Sequence, residues 1–182
     1  WQQAIERPDG GEPTGLVFAA DGASVYVADS RSVQRFEVAS ANGSPREAMT
    51  LPANLAGHTT QLAVSGDGQW LAALVDGRPL LRPLGSPGAE WELVEPEGFK
   101  GVKWEIVALS DDGDRLIGVI DRPLRALQLE REGGGRWKAT QLDNGDNCRE
   151  LQSISSAPHY VASTWSAGAC IVSLDDPSKP WP

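Results

Sequence analysis

The sequence predicts an all-β chain, a β-propeller built from four blades of four antiparallel strands. Three observations carry that prediction. An Asp-Gly type of turn recurs as Ala20-Asp21-Gly22, Gly66-Asp67-Gly68 and Asp111-Asp112-Gly113, with its glycines 46 and 45 residues apart. Each turn lies between two short apolar segments and is followed by a third. A fourth segment opens at positions 1, 46, 91, 137 and 181, and four of those five residues are Trp. Four short strands in about 45 residues is the size of a propeller blade, whereas a helical repeat would space its apolar residues by three and four.

The elements follow in order. The first strands are Leu16–Ala19, Leu62–Val64, Ile106–Leu109 and Leu151–Ile154. The second are Val25–Ala28, Trp70–Leu74, Leu116–Ile120 and Tyr160–Ala162. Both sets are nearly continuous in apolar residues, as expected of strands covered on two faces. The third strands, Val33–Val38, Leu80–Leu84, Leu124–Leu129 and Cys170–Leu174, tend toward alternation. The fourth strands are Arg46–Thr50, Trp91–Val94 and Arg136–Thr140, with Trp1–Ile5 in the same phase. Pro79, Pro83 and Pro87 weaken the assignment in the second repeat, because proline cannot donate to a ladder.

Residues 1–182 thus read as one propeller domain or segment, with units at about 1–45, 46–90, 91–136 and 137–180. The order of the ends lets Trp1–Ile5 pair with Cys170–Leu174 and close a four-bladed ring, which would remove two sheet edges. Two other readings stay open. The chain is a segment of a larger propeller, or two copies form an eight-bladed ring. The start at Trp1 marks a processed product or a piece of something longer.

The run Val17-Phe18-Ala19-Ala20-Asp21-Gly22-Ala23-Ser24-Val25-Tyr26-Val27-Ala28-Asp29 resembles the WD40 and YVTN-type propeller repeats. Leu109-Ser110-Asp111-Asp112-Gly113 comes nearest to their apolar-Phe-Ser-Pro-Asp-Gly phrase. The resemblance covers nearly the whole chain and implies a scaffold for binding. It departs from WD40 blades in two places. Gly57-His58 is the one Gly-His pair, nearer its turn than in that family, and no third strand ends in Trp-Asp. The Asp-His-Ser/Thr-Trp network of the family is therefore not carried over, and His58 reads as a loop residue.

Charge narrows the partners. The net charge is −9, with no block of Lys or Arg, so a phosphate backbone is repelled and nucleic acid is not expected. No run of eighteen apolar residues exists to span a membrane. The expected partner is another protein or another domain of the same chain, with a homodimer as a further option. An acidic face for a basic partner is the sharper reading of the charge, and solubility is the plainer one.

Chemistry is sparse. The two histidines are His58 and His159, the latter on a turn beside Pro158, and no Gly-x-Ser-x-Gly elbow activates a serine. Asp143-Asn144-Gly145-Asp146-Asn147 is the best calcium-loop candidate, but it lacks the spacing and bidentate Glu of an EF-hand, and no metal or other cofactor is expected. Ser65-Gly66-Asp67-Gly68-Gln69-Trp70 resembles an Asp-box turn, with the wrong spacing, and reads as a structural hairpin. Gly133-Gly134-Gly135 is a loop tip, not a phosphate loop. Cys148 and Cys170 fall at one end of the last repeat with a strand between them. Two strand spacings are about 9.5 Å, beyond the roughly 7 Å limit for a disulfide. A loop position for Cys148 closes that gap, so a disulfide and two free thiols both stay open. Free thiols slightly favour a cytoplasmic home.

What remains is a face of loops before the first strands, near Gly57–Thr59, Phe99–Lys103 and Asn144–Arg149. His58, Phe99, Lys100, Lys103, Trp104 and Arg149 are its candidate binding residues. The expected function is a non-catalytic protein-interaction or sensor module, because rigid scaffolds carry recognition on such loops. The alternative is a small-molecule-binding or hydrolytic propeller with its site at the channel mouth, where His58 and several carboxylates would converge.

Overall fold

The computed structural model describes residues 12–39, 44–55, 57–110, 112–121, 124–133, 135–141, 153–157, 160–165 and 168–173; for 106–107, 121, 124–126 and 153–173 it describes the backbone. These residues form four antiparallel sheets, each with its strands in chain order. The first holds β1 (Gly15–Phe18), β2 (Ser24–Ala28), β3 (Ser32–Glu37) and β4 (Glu47–Thr50). The second holds β5 (Thr59–Val64), β6 (Trp70–Val75), β7 (Arg78–Pro83) and β8 (Glu92–Leu93). The third holds β9 (Trp104–Leu109), β10 (Arg115–Asp121), β11 (Leu124–Glu132) and β12 (Arg136–Gln141). The fourth holds β13 (Ser153–Ala157), β14 (Tyr160–Trp165) and β15 (Gly168–Ser173). The one helical element among the described residues is a 3-10 turn, Ala53–Leu55.

Each first strand lies beside the next: β1 against β5, β5 against β9, β9 against β13. Among the described residues no comparable contact returns from β13 to β1, so a closed ring is not seen. The expected strands at Trp1–Ile5 and Trp181 lie outside the described residues, as does a fourth strand for the last sheet.

The recurring turn has a physical cause. Ser65 Oγ donates to Asp67 Oδ1 and accepts from Trp70 N at 2.9 Å, while Asp67 Oδ1 also accepts from Gln69 N at 2.9 Å. Ser110, Asp112, Asp114 and Arg115 repeat the pattern, with Arg115 N to Ser110 Oγ at 3.0 Å and Asp114 N to Asp112 Oδ1 at 3.1 Å. The glycine that ends each turn has positive φ, +67° at Gly22, +69° at Gly68 and +74° at Gly113, which a side chain adopts at a cost. The turn seen as an Asp-box relative is thus a structural hairpin, present twice with its serine and once, at Ala19, without it.

The core is layered between sheets. Tyr26, Val33 and Met49 of the first sheet pack with Leu71, Ala73, Val75 and Leu80 of the second. Ala72, Leu74 and Leu81 of the second sheet turn the other way, toward Trp104, Leu116, Leu127 and Leu129 of the third. Alternate residues of β6 therefore serve two cores, which is why that strand reads as one apolar run. Full burial of a Leu stabilises by about 2 kcal/mol, so this alternation is the main source of cohesion between sheets.

Two expectations about burial change. β7 does not alternate, because Pro79 through Arg82 are all buried between the neighbouring sheets. Pro79 still takes part in the ladder, since its carbonyl accepts from Val94 N at 2.9 Å. β1 is not covered on both faces: Leu16 and Phe18 are each 58% exposed. β5 lies against β1 near Gly15, but nothing among the described residues covers the Leu16 and Phe18 side chains to the same degree.

Candidate interaction site

One end of the second sheet gathers two of the three loops expected to form the binding face, and the third, 144–149, lies outside the described residues. Its centre is Asp76-Gly77, the two-residue turn between β6 and β7, with φ of +49° and +75°. Positive φ at both positions is the signature of a type I′ hairpin, and Asp-Gly suits it. His58 O accepts from Asp76 N at 3.0 Å, and Gly77 O accepts from Trp104 N at 2.7 Å. The turn thus holds the loop before β5 and the loop before β9 side by side. The approach is close: a Cβ on Gly57 would lie 2.8 Å from Asp76 Cβ, and one on Gly77 would lie 3.0 Å from Lys103 Cβ.

The expected site residues divide. His58, Lys100 and Lys103 are exposed, and His58 and Lys103 lie beside the Asp76-Gly77 turn. Lys103 Nζ reaches Asp76 Oδ1 at 3.3 Å, with both side chains more than half exposed, so the pair adds little stability. Phe99 is half-buried and tilts 42° against Trp104, with ring centroids 6.1 Å apart. Trp104 is a correction. It is 3% exposed and belongs to the core, with its ring laid over Gly118, where an added Cβ would come within 2.3 Å of it. It supports the face from beneath and does not present its ring to a partner. Arg149 and Cys148 lie outside the described residues, and Cys170 is described only as a backbone position in β15 opposite Ser163. The pairing of the two cysteines is therefore outside the described residues as well.

The sequence reading missed Asp76, although Asp-Gly between Val75 and Arg78 is a two-residue hairpin signal. It also missed Asp29, a buried residue at the same end of the first sheet. Asp29 Oδ1 accepts from Arg31 N at 2.6 Å and Ser32 N at 2.7 Å, and Thr59 Oγ1 donates to Asp29 O at 3.0 Å. That last bond ties the first sheet to the loop carrying His58. Among the described residues no group of three His, Cys, Asp or Glu is placed to hold a metal, and no helix is long and apolar enough to cross a membrane.

The outer edges of the sheets meet at two junctions, and each is built on one glutamate. By the ladders, Glu47 in β4 stands opposite Arg35 and Glu92 in β8 stands opposite Leu81, which are matching rungs. Between the second and third sheets, Glu92 accepts from Trp137 Nε1 at 2.7 Å and from Arg131 Nη2. Arg131 also sits 4.5 Å from the Trp70 ring centroid and 5.2 Å from that of Trp137, a double cation–π contact. Between the first and second sheets, Glu47 accepts, among the described residues, a 3.3 Å bond from Arg82 Nη2. Arg82 has an 8% exposed side chain, and its Nε and the Trp91 Nε1 are buried without a hydrogen-bond partner among the described residues. A groove of about 910 Å³ runs along this junction, lined by Arg82, Trp91, Glu47, Glu90, Pro52 and Pro87 among others.

Two titrations are displaced. Hydrogen bonding from the Ser110 hydroxyl holds Asp112 below the usual carboxylate range, against the opposing effect of burial. Burial raises the Tyr26 phenol above its usual value, with the nearby Arg35 acting in the other direction.

No family model matches the chain, and no curated protein matches it. Solved structures do match, at low identity. A β-propeller domain of Cps50 (Swd1) from Myceliophteria thermophila is 17% identical with a TM-score of 0.65, over 90% of this chain and 54% of that one. U3-55K is 14% identical with a TM-score of 0.61, over 93% of this chain and 51% of that one. A candidate 6-phosphogluconolactonase from Bacteroides uniformis is 15% identical with a TM-score of 0.60, over 94% of this chain and 54% of that one. The chain spans about half the length of these structures. The likeness establishes a propeller-type fold and does not extend to activity.

Proposed function

We propose that the chain is a non-catalytic protein-interaction module on a propeller-type scaffold. The observation that carries this reading is the loop face. Asp76-Gly77 holds the loops before β5 and β9 side by side, which brings exposed His58 and Lys103 near each other, and exposed Lys100 belongs to the same loop as Lys103. Recognition commonly sits on loops held by a rigid scaffold, and here the loops are pinned by main-chain bonds.

The same reading treats residues 1–182 as one propeller segment whose ring further blades complete. Exposed Leu16 and Phe18 on β1 support it, as does the half-length coverage of the solved propellers. Those blades come from a longer chain or from a second copy.

The test is affinity capture of partners with the chain and with a His58→Ala, Lys100→Glu, Lys103→Glu variant. A control variant, Gln69→Ala, alters the opposite end. The expected result is a partner retained by the chain and the control but lost by the triple variant, with melting unchanged. A partner held equally by all three places recognition elsewhere and refutes the loop face.

A further inference from the structure

The groove between the first and second sheets holds two polar groups that the fold leaves unanswered. Arg82 Nε and Trp91 Nε1 are both donors, both buried and both without an acceptor among the described residues. A buried donor left unmade costs about 1–3 kcal/mol. At the neighbouring junction the indole is answered, because Trp137 Nε1 donates to Glu92, while Arg131 Nε is buried without an acceptor just as Arg82 Nε is. The first junction therefore differs in leaving its indole donor unanswered, beside a groove that has room for a ligand.

The surroundings select which acceptor. Arg82 is already matched by Glu47, and Arg46 is matched by Glu37 at 2.7 Å. Exposed Glu90 adds a negative charge with no cation paired to it among the described residues. A free anion would enter against that charge and the chain's net −9. An uncharged carbonyl enters without that penalty. Pro52, Pro87 and the half-buried Trp91 ring supply apolar wall. An aromatic wall with an indole donor is the surface that extended proline-containing segments use, since a polyproline II backbone has no internal hydrogen bonds and directs its carbonyls outward.

From this geometry we infer that the groove is a second binding site, separate from the loop face, for an extended, proline-containing, basic peptide segment of a protein partner. A main-chain carbonyl of the segment accepts from Trp91 Nε1–H as the indole turns toward the groove. A second carbonyl accepts from Arg82 Nε–H. An Arg or Lys of the segment pairs with Glu90.

The test is a titration of the ¹⁵N-labelled chain, following the indole N–H resonance that disappears in Trp91→Phe. The probes are a peptide of Pro-Pro-Arg repeats, the same peptide with Glu in place of Arg, and sodium acetate. The expected result is a saturable shift with the Arg peptide at submillimolar concentration. Glu90→Lys, at an exposed position outside the core, weakens that binding about tenfold. The triple variant of the loop face leaves it unchanged, so failure here and failure of the loop face are separate results. An equal shift with acetate or the Glu peptide shows an anion site and overturns the inference. So does a resonance that stays still through millimolar Arg peptide, or an unaltered affinity in Glu90→Lys.

Discussion

The two junctions between sheets use the same glutamate rung and reach different ends. At the second, Glu92 joins Arg131 and Trp137 into one network, and Trp70 closes over the guanidinium. At the first, Glu47 has one long bond to Arg82, and two donors stay unmet, against one, Arg131 Nε, at the second. The difference traces to a few residues. Trp70 follows its turn glycine by two positions, and Ser24 holds that place in the first sheet. The space confirms it: a Cβ on Gly113 would strike the Trp70 ring at 2.1 Å, whereas one on Gly68 meets nothing within 4 Å. Arg82 lies on the rung where β11 has Leu129, so a charge sits in a core position. Each junction leaves one arginine Nε unanswered, and the first leaves its indole unanswered as well.

The largest expected effect breaks the closed junction. Gly113→Ala forces a side chain into a positive-φ position and into the Trp70 ring, and should cost about 3 kcal/mol or more. Gly68→Ala has the backbone cost alone, about 1 kcal/mol. Urea unfolding of the two variants measures the gap, and equal losses would dissolve the contrast.

The arginines should differ in sign. Arg131→Leu removes the stack and the Glu92 bond, an expected loss of about 1–3 kcal/mol. Arg82→Leu replaces a buried charge held by one 3.3 Å contact by an apolar residue that matches Leu129, and should be neutral or stabilising. Thermal melts of both variants decide this, and a larger loss at Arg82 would contradict it. The tryptophans sharpen the same point at smaller scale. Trp137→Phe should cost about 1–2 kcal/mol, since it deprives Glu92 of a donor. Trp91→Phe removes an orphan donor and should cost less than that, as equilibrium unfolding would show.

The smallest effect is electrostatic and local to the third sheet. Asp112 is held below its usual range when folded, so it binds fewer protons folded than unfolded. Its stabilising contribution is present above about pH 4 and fades as pH falls below that. Ser110→Ala removes the main cause and should flatten this part of the acid-unfolding curve. An unchanged curve would mean that the hydroxyl does not govern the titration.

Much of this fold was legible because local signals repeat. Asp-Gly turns need particular backbone geometry, so Gly22, Gly68 and Gly113 marked the hairpins, and the strands around them fall where the apolar runs lie. Register was not legible. Trp91 and Trp137 are 46 residues apart, yet the ladders set them two residues out of step. Glu92 lies opposite Leu81 and Thr140 opposite the matching Gln128, so Trp91 corresponds to Ala139. Trp104 looked like a loop aromatic because its burial depends on Gly118 in another strand. The loop face was half legible: Gly57, His58 and Lys103 were named, but the turn that joins them, Asp76-Gly77, went unread among many Asp-Gly pairs. The junction grooves depend on contacts between residues 35 to 45 apart, such as Glu47 with Arg82 and Glu92 with Trp137, and no single motif announces those.

The proposed open segment has β1 meeting another blade. Its most direct test is thiol labelling of Phe18→Cys, in a background where Cys148 and Cys170 are Ser, across the size-exclusion peak with light scattering. In a monomer of 19.4 kDa the thiol should react nearly as fast as a free peptide thiol, and in a dimer it should be protected. A monomer with a protected thiol would show that the chain covers its own β1 face, and would contradict the open segment.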